Sequence, residues 1–132
     1  SAHKITKELL KKYKKYDFIL MNFANGDMVG HTGVLKAAIK GIETIDKCLG
    51  MIFKKMKNDF TMIITADHGN CEDMGKGSET SHTLNKVPFI VVDDKLKNKK
   101  LTEGGLSNIA PTVLKIMKIK KPKVMNEDLF KN

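Results

Sequence analysis

Apolar residues recur every three or four positions over two stretches of the chain. From Val34 to about Lys57 the set Leu35, Ala38, Ile42, Ile45, Leu49, Ile52 and Met56 shares one face, with Lys36, Lys40, Glu43, Lys47 and Lys54 mostly on the others. That period predicts a long amphipathic helix. A shorter version, Ile5, Leu9, Leu10 and Tyr13 set among lysines, predicts a helix over residues 4–15. Three other segments are nearly continuous in apolar residues: DFILMNF (17–23), FTMIITA (60–66) and VPFIVVD (87–93). Short runs of this kind predict buried strands. Pro88 stands near the start of the third, where a missing N–H is best tolerated. GGLSNIAPTVLKIM (104–117) predicts a last helix, entered through Ser107 or Asn108 as cap with Pro111 in its first turn. ANGDMVGHTG (24–33), with three glycines and no period, predicts a loop, and DHGNCEDMGKGSETSHTLNK (67–86) a long polar one.

Strands alternating with helices predict an α/β fold, a mainly parallel sheet flanked by helices, whose ligands gather at the carboxyl ends of the strands. With 132 residues and neither internal repeat nor linker, a single domain over 1–132 is expected. No apolar run approaches the ~18 residues of a membrane span, and the N-terminal SAHKITKELLKKYKKY has no signal-like apolar core. Cys48 and Cys71 form no C-x-x-C pair, so free reduced thiols and a cytoplasmic location are expected.

The net charge of +9 raises the question of an acidic partner such as a nucleic acid or a phosphorylated metabolite. Every cation, however, is a lysine. A chain without arginine lacks the planar fork that reads guanine edges, so specific nucleic-acid recognition is not expected. The lysines cluster at KKYKK (11–15), KLKNKK (95–100) and KIKKPK (118–123), apart from the rarer polar groups, as solvated faces and turns do.

Those rarer groups have a pattern of their own. The run at 17–23 leads into Asp27 and His31, the run at 60–66 into Asp67 and His68, and His82 lies in the loop before the next run. Every histidine except His3 thus falls at what should be one edge of the sheet, with two aspartates. Mixed carboxylate and imidazole ligands suit divalent first-row metals such as manganese or zinc, whereas all-oxygen sets suit magnesium or calcium. Five ligands exceed a single tetrahedral site with an open position and supply most of a two-metal site. Taken singly each has a plainer reading: Asp67 as a turn cap, His31 or His82 as a surface histidine, Cys71 as a bystander thiol. Their joint placement at successive strand ends has no structural cause.

NFANGDMVGHTG (22–33), TADHGNCEDM (65–74), SHTLNKVPFI (81–90) and GGLSNIAPTVL (104–114) resemble, in order and spacing, the C-terminal part of the cofactor-independent phosphoglycerate mutases, a family of the alkaline phosphatase superfamily. The resemblance runs from about Asp17 to the end. It implies a partial alkaline-phosphatase-like domain and two manganese ions, with zinc, cobalt or magnesium as substitutes. By motif, Asp27, His31 and His82 resemble the ligands of the ion that engages the substrate phosphate, and Asp67 and His68 those of the ion that activates a serine. In the family that serine takes the phosphoryl group of 3-phosphoglycerate and returns it to give 2-phosphoglycerate, a step of glycolysis and gluconeogenesis.

The family's nucleophilic serine, a further aspartate ligand and an inserted transferase domain that supplies arginines have no counterpart here. Ser78, Ser81 and Ser107 do not match the nucleophile's motif, and no catalytic or substrate-binding residue is assigned. Lys86 and Gly26 depart from the family pattern in loops. The resemblance therefore implies the C-terminal portion of the phosphatase domain, inactive alone, prone to self-association through an uncovered sheet edge or apolar face, from an intact enzyme that is monomeric. Another phosphotransferase or hydrolase of the superfamily is the nearest alternative. A basic module binding nucleic acid non-specifically is a second, which leaves the ligand pattern unexplained.

Overall fold

The computed structural model describes residues 1–74 and 81–131. It divides into two compact units, Ser1–Phe60 with Ile64–Phe89, and Thr61–Ile63 with Ile90–Asn132.

In the first unit the expected N-terminal helix is α1, Ala2–Lys12, extended by a 3-10 turn over Tyr13–Lys15. It packs on the long helix α3, Leu35–Met56. Thr6 is buried and donates its hydroxyl to the Ala2 carbonyl at 2.9 Å, while His3 Nδ1 lies 3.6 Å from the buried Cys48 Sγ. Tyr13 is buried with its ring edge on Phe60, and its hydroxyl donates to Asp59 at 3.2 Å.

The buried face of α3 runs through Ala38, Gly41, Cys48, Ile52 and Met56. It is rotated from the expected stripe, leaving Leu35 and Ile42 at 55% and 46% exposure. The cause is a close crossing. A methyl group on Gly41 would lie 3.0 Å from Val29 Cγ2 and 3.5 Å from the Asn25 carbonyl oxygen, so glycine admits the neighbouring backbone that a leucine or isoleucine would hold away.

The segment 17–23 corrects the expectation of a buried strand. It has no ladder among the described residues, and its side chains alternate, with Ile19, Met21 and Phe23 partly buried and Phe18, Leu20 and Asn22 exposed. A strand exists only against a partner that takes up its backbone hydrogen bonds, and none of the described residues does so here. The other two strands form, although they are only partly buried where buried strands were expected: β1, Met62–Thr65, and β2, Phe89–Val92, are neighbours in a two-stranded sheet, with Thr65 and Ile90 exposed. A third expectation, the loop at 24–33, gives way to a short helix, α2, Asn25–Gly30, which packs on α3. The long polar loop is pinned by an antiparallel bridge between Gly69 and Thr83.

In the second unit a 3-10 turn, Leu106–Asn108, leads into α4, Ile109–Ile116, with Pro111 in its first turn as expected. The Asn108 side chain accepts from the Gly105 N–H and donates to the Glu127 carbonyl, both at 2.8 Å. Buried Thr112 donates to the Asn108 carbonyl at 2.7 Å and accepts from the Leu129 N–H at 2.9 Å, which ties the C-terminal segment to α4.

The end of α4 places Lys118 in the left-handed region, φ 57°, with the Ile119 N–H on the Leu114 carbonyl at 2.9 Å and the Lys118 N–H on Lys115 at 3.1 Å. This is the Schellman ending that glycine normally supplies. Lys118→Gly removes the Cβ penalty of the left-handed conformation, and is expected to raise stability by about 0.5–1 kcal/mol in urea unfolding, with no change in the m-value.

Candidate metal centre

The centre is built within the first unit. Helix α2 sets Asp27 and His31 four residues apart, on one face, and brings His31 Nε2 to 3.1 Å from Asp27 Oδ1. Thr32 then stops the helix, donating its hydroxyl to the Val29 carbonyl at 2.6 Å and accepting from the Val34 N–H at 3.2 Å. Gly33, at φ 67°, turns the chain into α3.

Strand β1 ends at Thr65, and Asp67 and His68 follow two residues on. His68 Nδ1 lies 3.1 Å from the Gly69 carbonyl, which can only accept, so Nδ1 carries the proton. Neutral His68 then keeps the Nε2 lone pair outward, 3.9 Å from Asp27 Oδ1 and 3.7 Å from Asp67 Oδ1. His82 arrives from the far side of the Gly69–Thr83 bridge with its Nε2 3.2 Å from Asp27 Oδ1. Its ring stacks on His68 with centroids 3.6 Å apart and lies 5.2 Å from His31.

Three imidazole nitrogens and the Asn70 amide, 2.8 Å away, thus converge on one carboxylate oxygen. The Asn70 amide donates to that oxygen, but His68 turns a lone pair toward it from 3.9 Å, so hydrogen bonds alone do not account for the convergence. Two ligand atoms bonded about 2.1 Å from a common ion lie about 3.0–3.4 Å apart, which is the separation Asp27 shows to His31 and His82. Ligand atoms of Asp27, His68 and His82 all fall within 4.8 Å of one another. The donor set and its spacing fit a divalent first-row ion.

Of the five sequence-predicted ligands, His31, His68 and His82 gather round Asp27, while Asp67 lies beside His68. The tightest threesome, Asp27, His68 and His82, draws on both of the sets that the family resemblance separates, and Asp67 stands at the rim with a side chain 76% exposed. Cys71 is not in that threesome. Ser107 accepts from Asn126 at 2.7 Å in the second unit, and Ser78 lies outside the described residues.

Three further residues, which the residue pattern did not single out, hold the ligands. Asn70 is 8% exposed and links its amide to Asp27. Glu72 accepts from the Asn70 N–H at 2.6 Å, from Asn85 Nδ2 at 3.0 Å and from the Thr83 hydroxyl. Burial works against the ionised form of Asp27, but the Asn70 amide and the imidazoles of His31, His82 and His68 outweigh it and hold the carboxyl below its usual range. The Thr83 hydroxyl is the main cause that draws Glu72 down to about 2, joined by Asn85 and the backbone N–H groups of Glu72 and Asn70 over a smaller opposing effect of burial.

Residues 1–121 match the family model described as the metalloenzyme superfamily. The chain is 52% identical over 132 residues to the 2,3-bisphosphoglycerate-independent phosphoglycerate mutase of Clostridium acetobutylicum, a match covering 95% of this chain and 26% of that protein. It is 49% identical over 129 residues to that of Moorella thermoacetica, covering 95% and 25%. A crystal structure of Leishmania mexicana phosphoglycerate mutase at low cobalt concentration matches with a TM-score of 0.87 and 31% identity, over 98% of this chain and 28% of that one. The α/β fold is thus that of a phosphoglycerate mutase structure, and the chain spans about a quarter of the length of the relatives it matches. With the superfamily model running through every converging ligand, the chain belongs to the metalloenzyme superfamily.

Proposed function

We propose that the chain is the C-terminal portion of the metal-binding phosphatase domain of a 2,3-bisphosphoglycerate-independent phosphoglycerate mutase. The longer protein interconverts 3-phosphoglycerate and 2-phosphoglycerate through a phosphoserine, in the cytoplasm, as a step of glycolysis. The observation that carries this reading is the convergence of His31, His68 and His82 on the Asp27 carboxylate, with Asp67 beside His68. The similarity to curated mutases supports it.

In this reading Asp27, His31 and His82 hold one ion, Asp67 and His68 the other, and both ions are manganese, with zinc, cobalt or magnesium as substitutes. When bound, such ions neutralise charge on a transferring phosphoryl group and lower the pKa of a serine hydroxyl. The residues of this chain supply the cage. The Gly69 carbonyl keeps the His68 lone pair on Nε2, and the Asn70 amide fixes which Asp27 oxygen faces the imidazoles. The nucleophile and the substrate-binding groups belong to the rest of the longer protein, which also completes a mainly parallel sheet and covers exposed Phe18, Leu20, Leu35 and Ile39. Alone, the chain self-associates through that apolar surface and is inactive, whereas the longer protein is monomeric.

The test is an assay of the longer protein with 3-phosphoglycerate before and after chelation. Mutase activity that disappears on chelation and returns with manganese is expected. Full activity after chelation, or hydrolysis of phosphate esters without mutase activity, would sink the proposal, and the second result would place the chain in another branch of the superfamily.

A further inference from the structure

We propose that Glu72 is a positioning residue of the metal centre, a clamp that acts through Thr83 and Asn70 to hold His82 and Asp27 in ligating positions. The proposal rests on the metal-centre reading above. One Glu72 oxygen takes the Thr83 hydroxyl and, at 3.0 Å, Asn85 Nδ2, while the other takes the Asn70 N–H at 2.6 Å. Thr83 follows His82 directly, so the first oxygen fixes the backbone that carries that imidazole. Asn70 passes the second restraint on, because its side chain donates to Asp27 Oδ1 at 2.8 Å. A single carboxylate therefore joins three ligand-bearing stretches: α2, the turn after β1 and the loop before β2.

Several features separate this arrangement from an ordinary loop contact. Glu72 is an acceptor on both oxygens, and all its partners are donors, so the ionised carboxylate is matched atom for atom. Its oxygens point to these donors, and it is not in the converging threesome of ligand atoms. A glutamine would offer one acceptor oxygen and set its N–H₂ against a group that can only donate, the Asn70 N–H on one side or Asn85 Nδ2 on the other, where the Thr83 hydroxyl could still reverse and accept. Gly69 fits the same picture, since a methyl group there would collide with both Thr83 Oγ1 and Glu72 Oε1. The backbone passes so close that the Thr83 N–H reaches the Gly69 carbonyl at 2.9 Å. Groups that orient metal ligands typically change affinity about 10–100-fold when removed.

The experiment uses the longer protein that carries this chain, as wild type, Glu72→Ala, Glu72→Gln and Thr83→Val. Amide hydrogen exchange of Asn70 and Thr83 is read by NMR in the presence of chelator. Manganese affinity is then measured by calorimetry, and cobalt uptake by its visible absorption, whose band shape reports coordination geometry. In Glu72→Ala both amides should exchange about 10-fold faster or more without metal, and manganese affinity should fall about 10–100-fold. The cobalt band should also change shape, while protection in α3 is retained. Glu72→Gln should fall between wild type and Glu72→Ala, and Thr83→Val should speed exchange of the amide at position 83 more than that of Asn70.

Unchanged exchange at both amides in Glu72→Ala would show that the clamp does not close. Faster exchange with wild-type manganese affinity and an unaltered cobalt band would confine Glu72 to loop structure. Either result overturns the proposal. Wild-type longer protein that took up neither ion would overturn the metal-centre reading and the positioning role with it, and the exchange rates would still report whether Glu72 binds Asn70 and Thr83.

Discussion

Asp27→Asn is expected to weaken manganese binding by this chain by at least about 100-fold, with the fold retained. Removing a group that merely orients a ligand typically costs about 10–100-fold, and Asp27 stands closer to the centre than that. Its Oδ1 lies 3.1 Å from His31, 3.2 Å from His82 and 3.9 Å from His68, so losing its charge removes the anionic member from the middle of three imidazoles. The asparagine keeps a carbonyl oxygen able to accept from the Asn70 amide, so no buried donor is orphaned. Asp67→Asn makes the internal comparison. Asp67 is 76% exposed and lies 3.7 Å from His68 alone, so its replacement should cost about 10-fold or less. Calorimetric titration of wild type and both variants decides between them. Equal losses would contradict the ranking, and an unaffected Asp27→Asn chain would mean that the ion is held by other residues.

The elements that could be read from the sequence are those whose stabilising contacts repeat along the chain. Helices α1 and α3 carry an apolar period, α4 a cap and an early proline, and β1 and β2 are short runs of apolar residues next to turn signals, so their existence was legible even where, as in α3, the face that is buried was not. The segment 17–23 has the same apolar content as β1 but no ladder among the described residues, because strand formation depends on a neighbour that the segment itself does not encode. Helix α2 is the converse. Its six residues include Gly26 and Gly30, each about 1 kcal/mol worse than alanine in a helix interior, and no period marks it. It forms where Gly41 of α3 lets Val29 pack closely, a contact that joins positions twelve apart and cannot be seen in either segment alone.

The site divides in the same way. Asp27, His31, Asp67, His68 and His82 were legible because histidine and aspartate are uncommon partners for apolar runs and fall together at their ends. Asn70, Glu72 and Thr83 were not, although all three lie in quoted motif segments. Their residue types are ordinary for a polar loop, and their role resides in which atom faces which donor. The lysine clusters behaved as their composition implied where the structure pairs them. Lys11 and Lys12 meet Glu8 at 3.2 and 3.1 Å on the solvent face of α1, exposed pairs of small energetic weight.

Gly30→Ala should be a damaging single-methyl change near the site. At most helix positions the substitution would help, by about 1 kcal/mol, since alanine has the higher propensity and Gly30 ends α2 without a left-handed backbone angle. Here the added Cβ would strike Asn70 Oδ1 and come within 2.7 Å of Asn70 Cγ. Asn70 is 8% exposed, its amide is engaged with Asp27 and its N–H with Glu72, so the side chain cannot swing aside without breaking the link between α2 and the turn after β1. Overpacking of this kind typically costs about 1–3 kcal/mol, which exceeds the propensity gain. Net destabilisation of about 1–2 kcal/mol is therefore expected in urea unfolding, accompanied by manganese affinity lowered about 10–100-fold through the displaced Asn70 amide. The companion variant Gly30→Ala/Asn70→Gly removes the obstructing side chain. If the clash is the cause, the companion should recover part of the stability lost in Gly30→Ala but not the metal affinity, because the amide that orients Asp27 is gone. Recovery of both would show that Asn70 contributes volume rather than orientation, and recovery of neither would place the strain in the backbone of α2.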